Sequence, residues 1–104
     1  DVPRCPAGLG AGGKRLWRAV ARLYVLEPPD LEVLHQACQF IDRADAAKAI
    51  VDAEGLQVDG RFNQKREHPL LKLERDSRLG ALRALKALGL DVVPAGAVGR
   101  PPGS

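Results

Sequence analysis

One stretch constrains the fold more than any other: Gly55–Leu90, GLQVDGRFNQKREHPLLKLERDSRLGALRALKALGL. It opens on a glycine that suits a helix end, crosses a short polar and basic segment, and restarts at His68-Pro69 as a leucine- and arginine-rich run. Proline fits the first helical turn, where the N–H it lacks would be unpaired in any case. This helix is expected from Pro69 to about Leu88, stopping at Gly89, with His68 anchoring its start. Leu71, Leu79, Leu82, Leu85 and Leu88 give it a leucine face. Ser77, Gly80, Ala81, Ala84 and Ala87 give it a second face of small residues. Glycine inside a helix costs ~1 kcal/mol relative to alanine, so Gly80 implies a close neighbour. Two apolar faces exceed what three helices can cover. The expectation is an oligomer, with the small-residue face as the subunit contact.

The preceding chain reads as two helices for that one to pack against. In the first, about 14–25, Leu16, Trp17, Val20, Leu23 and Tyr24 recur at three- and four-residue spacing. Trp17 is the expected core anchor. Lys14, Arg18 and Arg22, with Arg15 beside them, form a basic ridge away from that stripe. Glu27-Pro28-Pro29 should break the chain, leaving Asp30 as N-cap of a helix over about 31–54, roughly 35 Å long at 1.5 Å per residue. Its seam includes Leu34, Cys38, Ile41 and Val51. Gly55 would end it in a left-handed conformation, with Leu56 folding back onto the last turn. Leu56-Gln57-Val58, the turn dipeptide Asp59-Gly60 and Arg61-Phe62-Asn63 then read as a hairpin over about 56–63. Residues 1–13 are Pro- and Gly-rich, a flexible lead-in from which Leu9 can dock on the core. Residues 91–104 lack periodicity and should be disordered. The fold class is therefore mainly α, three helices and a hairpin, in one domain over 14–90.

Composition agrees. A chain of 104 residues with 45% hydrophobic but only 4% aromatic residues must build an aliphatic core, which suits helices. The net charge of +3 is unevenly spread. Residues 1–26 carry +4, residues 27–60 carry −6, and residues 61–104 carry +5. The ordinary reading is that acidic and basic helices pair within the protomer. The functional reading is a basic surface for polyanions, with the acidic segment turned to a neighbouring subunit or partner. Arg61, Asn63, Gln64, Lys65 and Arg66 fall within six residues, the densest set of donors in the chain. No apolar run approaches the ~18 residues needed to span a membrane. No signal peptide is read, and the absence of an initiator Met suggests a trimmed fragment; the expected location is cytosolic.

Catalytic patterns are not found. Cys5, His35 and Cys38 do not make a metal-ligand set, and Cys38 reads as a buried thiol. The chain is read as lacking a Ser-His-Asp set, a G-x-G-x-x-G run, a phosphate loop and an HExxH pair. Asp42, Asp45, Glu74 and Asp76 read as surface charges among basic side chains. No enzyme and no cofactor are expected.

The order of these features resembles the small subunit of phage terminase, the DNA-packaging machine of tailed double-stranded DNA phages. The resemblance covers residues 9 to 90. It is carried by Leu16-Trp17 on a first helix and Asp30 opening DLEVLHQACQFIDRADAA. Glu54-Gly55-Leu56, a polar insert, His68-Pro69-Leu70-Leu71 and a final Leu88-Gly89-Leu90 complete it. It implies a non-enzymatic, ring-forming protein of the host bacterial cytoplasm. Such a protein binds double-stranded viral DNA at the packaging start and regulates the large ATPase and nuclease subunit. On that basis Lys14, Arg15, Arg18, Arg22, Arg61, Lys65 and Arg66 are expected on phosphates, with Asn63 or Gln64 at a base edge. An adaptor that holds another protein without touching nucleic acid is the alternative. A small regulator with a helix in the major groove fits less well, because the connection is a hairpin.

Overall fold

The computed structural model describes residues 2–61 and 64–90. Three helices and one two-stranded hairpin follow in the order α1 (Ala11–Leu23), α2 (Pro28–Glu54), β1 (Gln57–Asp59), β2 (Lys65–Glu67) and α3 (Pro69–Ala87). The fold is mainly helical, with the hairpin between the second and third helices, as the patterning predicts. Residues 91–104, expected to be disordered, fall outside the described residues.

α2 is the spine. Both other helices pack on it, and the main core joins all three: Leu9, Trp17, Val20 and Ala21 meet Leu34, Ala37, Cys38, Leu85 and Leu90. Leu34, Ala37 and Cys38 are wholly buried. Trp17 anchors α1, its ring edge-on to His35 and its Nε1–H donating to the Pro3 carbonyl at 3.2 Å. The lead-in is therefore tied down at Pro3 and Leu9. Beyond the reach of α1, α2 and α3 bury Ala44, Ala47, Val51, Ser77 and Ala81 between them.

Helix ends differ from expectation for local physical reasons. α2 begins at Pro28, so the proline pair starts the helix instead of breaking it: neither lost N–H had an intrahelical acceptor. Asp30 is thus inside the first turn, not the N-cap, and its carboxylate accepts the Glu27 N–H at 3.3 Å. α1 ends at Leu23, which leaves Val25 fully exposed, outside the helix. Gly55 has a positive φ of 92° and ends α2, but Leu56, expected to fold back onto the last turn, is 67% exposed. At the end of α3 the expected stop is present. Gly89 is left-handed (φ 74°), its N–H reaches the Lys86 carbonyl, and the Leu90 N–H reaches Leu85, which brings Leu90 back onto the core.

The hairpin is longer than the turn dipeptide suggested. Val58 pairs with Arg66 and Asp59 with Lys65, so the second strand is Lys65–Glu67 and Arg61 lies in the connecting loop. Asp59 ends a strand instead of turning it. The Gly60 N–H closes the loop on the Gln64 carbonyl at 2.6 Å.

The two apolar faces of α3 exist, and α2 covers part of each. Ser77 and Ala81 are buried against α2, and a Cβ on Gly80 would lie 3.0 Å from the Phe40 ring. Ala84 packs half-buried at the core and Ala87 is exposed. The small-residue face, expected to meet another subunit, is thus filled by α2 of the same protomer. Only small side chains let the two helices approach this closely. Of the leucines, Leu85 is buried and Leu71 and Leu88 half-buried, while Leu79 and Leu82 face solvent.

Candidate nucleic-acid interface

The helical spacing of Lys14, Arg15, Arg18 and Arg22 gathers them, with Ala11 and Ala19, around one open depression along α1. All four are exposed. Among the described residues none of the four takes part in an ion pair. Several of the chain's acids are engaged elsewhere. Lys48 pairs with Asp52, Lys72 with Asp76 at 2.7 Å, and Arg78 with Glu74 at 3.1 Å and Asp45 at 3.3 Å. An exposed surface pair is worth ~0–1 kcal/mol, so these pairs add little stability, but they leave the α1 ridge uncompensated.

The acidic helix does meet α1, through backbone amides. Asp42 projects from α2 onto the first turn of α1, where its two carboxylate oxygens accept the N–H groups of Gly10 and Gly13, each at 2.7 Å. Gly10 offers no side-chain cap, and Asp42 supplies one from the neighbouring helix. The negative charge also suits the positive end of the helix dipole. Glycine is required for the approach: a Cβ on Gly13 would stand 2.5 Å from an Asp42 oxygen, and one on Gly12 would collide with the Asp45 carboxylate.

This corrects the placing of Asp42 among surface charges. The expected absence of a G-x-G-x-x-G spacing is also wrong, since Gly8, Gly10 and Gly13 carry it ahead of Lys14. The missed signal was a glycine run at a helix start. Among the described residues no strand precedes it, as a dinucleotide fingerprint would need, and a carboxylate takes the amides.

The hairpin holds a second basic group. Arg61, Gln64, Lys65 and Arg66 are exposed; Asn63 lies outside the described residues. Lys65 pairs with Asp59 across the strands, and its hydrogen bond and charge hold the Asp59 carboxyl below the ordinary carboxylate range. The hairpin follows α2 at Gly55, whereas the start of α1 sits beside Asp42. The α2 segment between them is roughly 20 Å long, so the expected contact residues form two groups.

His68 joins the hairpin to α3. Its N–H donates to the Leu56 carbonyl at 2.8 Å, while its buried ring caps α3 by accepting the Leu70 N–H on Nδ1 at 3.1 Å. The ring hydrogen is then on Nε2, which donates to Glu54 at 2.9 Å.

Arg75, Arg83 and Lys86 were not singled out from the sequence, yet they are exposed on α3 near Leu79 and Leu82. Placing the leucine face inward had hidden that surface.

Among the described residues no group of three or more His, Cys, Asp or Glu side chains is arranged to hold a metal. Burial pushes the Cys38 thiol up to about 12, the opposite of a reactive thiolate. No described helix is long and apolar enough to cross a membrane.

Compared with known proteins, residues 14–101 match the model of the family described as "Phage terminase, small subunit". No curated protein and no solved structure matches the chain.

Proposed function

The chain belongs to the phage terminase small-subunit family, and we propose that it is the non-enzymatic DNA-binding member of a packaging complex. It grips double-stranded viral DNA through basic side chains and presents that DNA to the large ATPase and nuclease subunit in the host cytoplasm. The observation that supports this most is the α1 ridge: four exposed cations on one helix face, without acidic partners among the described residues. Arg61, Lys65 and Arg66 on the hairpin loop and strand form a second contact, and Gln64 or Asn63 meets a base edge. A single protomer makes few phosphate contacts, so the grip comes from several copies, arranged as a ring, acting on one duplex.

Fluorescence anisotropy with a labelled duplex over a salt series tests this. Each neutralised phosphate lowers log K by about 0.9 per log unit of salt. The Arg15→Glu, Arg18→Glu double variant should bind more weakly and with a shallower slope. Arg66→Glu should weaken binding more than Lys65→Glu, since Lys65 is already paired with Asp59. Binding that ignores salt, or reversed charges that leave it unchanged, would sink the reading.

An adaptor without nucleic-acid contact is the second reading, favoured by Leu79 and Leu82 on the outer face of α3. It predicts that the charge-reversed variants still capture the large subunit normally, and that the wild type leaves duplex DNA unshifted.

A further inference from the structure

We propose that Asp42 is the positioning residue of the basic ridge: its carboxylate fixes the first turn of α1 on α2, and so sets where Lys14, Arg15, Arg18 and Arg22 stand. This rests on the DNA-binding reading above. Asp42 belongs to the most acidic segment of the chain, yet it faces none of these cations in an ion pair among the described residues. Both its oxygens are engaged by Gly10 and Gly13 amides that lie 32 and 29 residues away in sequence. The contact is therefore tertiary, and it falls at the end of α1 where Lys14 and Arg15 begin the ridge. Trp17 holds the middle of the helix by packing against His35. An anchor at the middle and a bond pair at one end define the helix axis, which a single anchor leaves free to pivot.

Glycines at 10, 12 and 13 carry the same message. Gly10 is the N-cap residue of α1 while Gly12 and Gly13 lie in its first turn, where glycine is costly, and all three lie within 3.0 Å, at their would-be Cβ, of an α2 side-chain atom. The sequence gives up helix propensity at the start of α1 in return for close seating on α2.

Removing Asp42 deletes a negative charge, and charge alone would tighten binding to DNA. Positioning predicts the reverse, so the sign of the change discriminates. Asp42→Ala should bind duplex DNA roughly tenfold more weakly, the order expected when about two phosphate contacts of the ridge are lost, and with a shallower salt slope. Gly13→Ala breaks the same contact without changing charge and should show the same shallower slope. Asp42→Asn retains one amide acceptor and should fall between Asp42→Ala and wild type. Glu32→Gln removes an exposed α2 charge away from the contact and should bind as wild type or tighter.

Hydrogen exchange without DNA supplies an independent reading. The amides at the start of α1 should lose protection in Asp42→Ala and Gly13→Ala while those of α3 keep theirs. If Asp42→Ala binds as tightly as wild type with the wild-type slope, the inference is overturned. Unchanged exchange in α1 would overturn it as well. If α1 exchanges faster but the wild type itself ignores duplex DNA, the seating of α1 stands and the DNA-binding reading falls.

Discussion

His68 does two jobs with one ring, and that sets what a substitution there costs. Nδ1 caps α3 through the Leu70 N–H, and Nε2 reaches Glu54 at the end of α2, so the ring ties both helices beside the hairpin. His68→Ala removes a cap worth about 1 kcal/mol and a hydrogen bond to a carboxylate worth about 1.5 kcal/mol. His68→Asn restores the cap alone. In urea unfolding the midpoint should fall for both, with the asparagine variant regaining somewhat less than half the loss and the slope unchanged. An asparagine variant as weak as alanine would mean that His68 acts by packing alone. That His68 caps the junction was legible, because Pro69 beside it marks a first turn. Its bond to Glu54 was not, since nothing local brings those two residues together.

Cys38 carries a separate residue-scale expectation. Its thiol, buried without exposure, keeps its proton up to about 12. In the unfolded chain the proton leaves near the ordinary thiol value. The folded form binds more protons across that window, so stability must fall as pH rises from about 9 to about 12, by up to ~1.4 kcal/mol per pH unit for one group. Cys38→Ala should flatten that alkaline decline relative to wild type, as read by chemical denaturation at successive pH values. An equal decline in both would place the cause in other groups.

At the scale of elements, apolar periodicity located all three helices, because each buries one stripe and that stripe is written at fixed spacing. The ends moved wherever a tertiary contact or a proline decided them. α1 starts at Ala11 because Asp42 caps it from another helix, and glycine propensity argues against a helix there. The hairpin moved for a different reason: Asp59-Gly60 has the composition of a two-residue turn, but Asp59 gains more as a strand residue opposite Lys65. That pairing can be read directly. By NMR the Asp59 carboxyl should titrate below the ordinary aspartate range, and Lys65→Ala should move its midpoint upward. Asp76, held low by Lys72 on α3, should not respond. Because both carboxyls are depressed in the fold, the stability they add is present above the ordinary carboxylate range and lost as pH falls through their lowered midpoints. An Asp59 midpoint that ignores Lys65 would mean the strands do not pair in this register.

For the whole molecule, the sequence led to the expectation that α3 has more apolar surface than one protomer covers, but not to which side would be left over. Bulk suggested that the leucines go inside. Leu85 does, and Leu71 and Leu88 are half-buried, but beside Gly80 α2 carries Phe40 and needs small residues to approach. The surplus is therefore Leu79 and Leu82, 43% and 48% exposed, on the side of α3 that also bears Arg75, Arg83 and Lys86. If copies assemble through these leucines, two substitutions should behave in opposite ways. Leu79→Glu with Leu82→Glu should give a monomer by native mass spectrometry while helix content stays that of wild type. Gly80→Arg should instead destabilise the protomer, since its side chain would enter the space of Phe40. If copies joined through the small-residue face, Gly80→Arg would yield a folded monomer and the leucine variant would stay assembled. On the proposed reading, DNA binding depends on valence. With α1 and its ridge untouched, the monomeric leucine variant should lose duplex affinity by about 10²-fold or more, the usual gain from linked weak sites, although each protomer keeps the same cations. A monomer that held the duplex as tightly as the assembly would confine the whole grip to one α1 ridge.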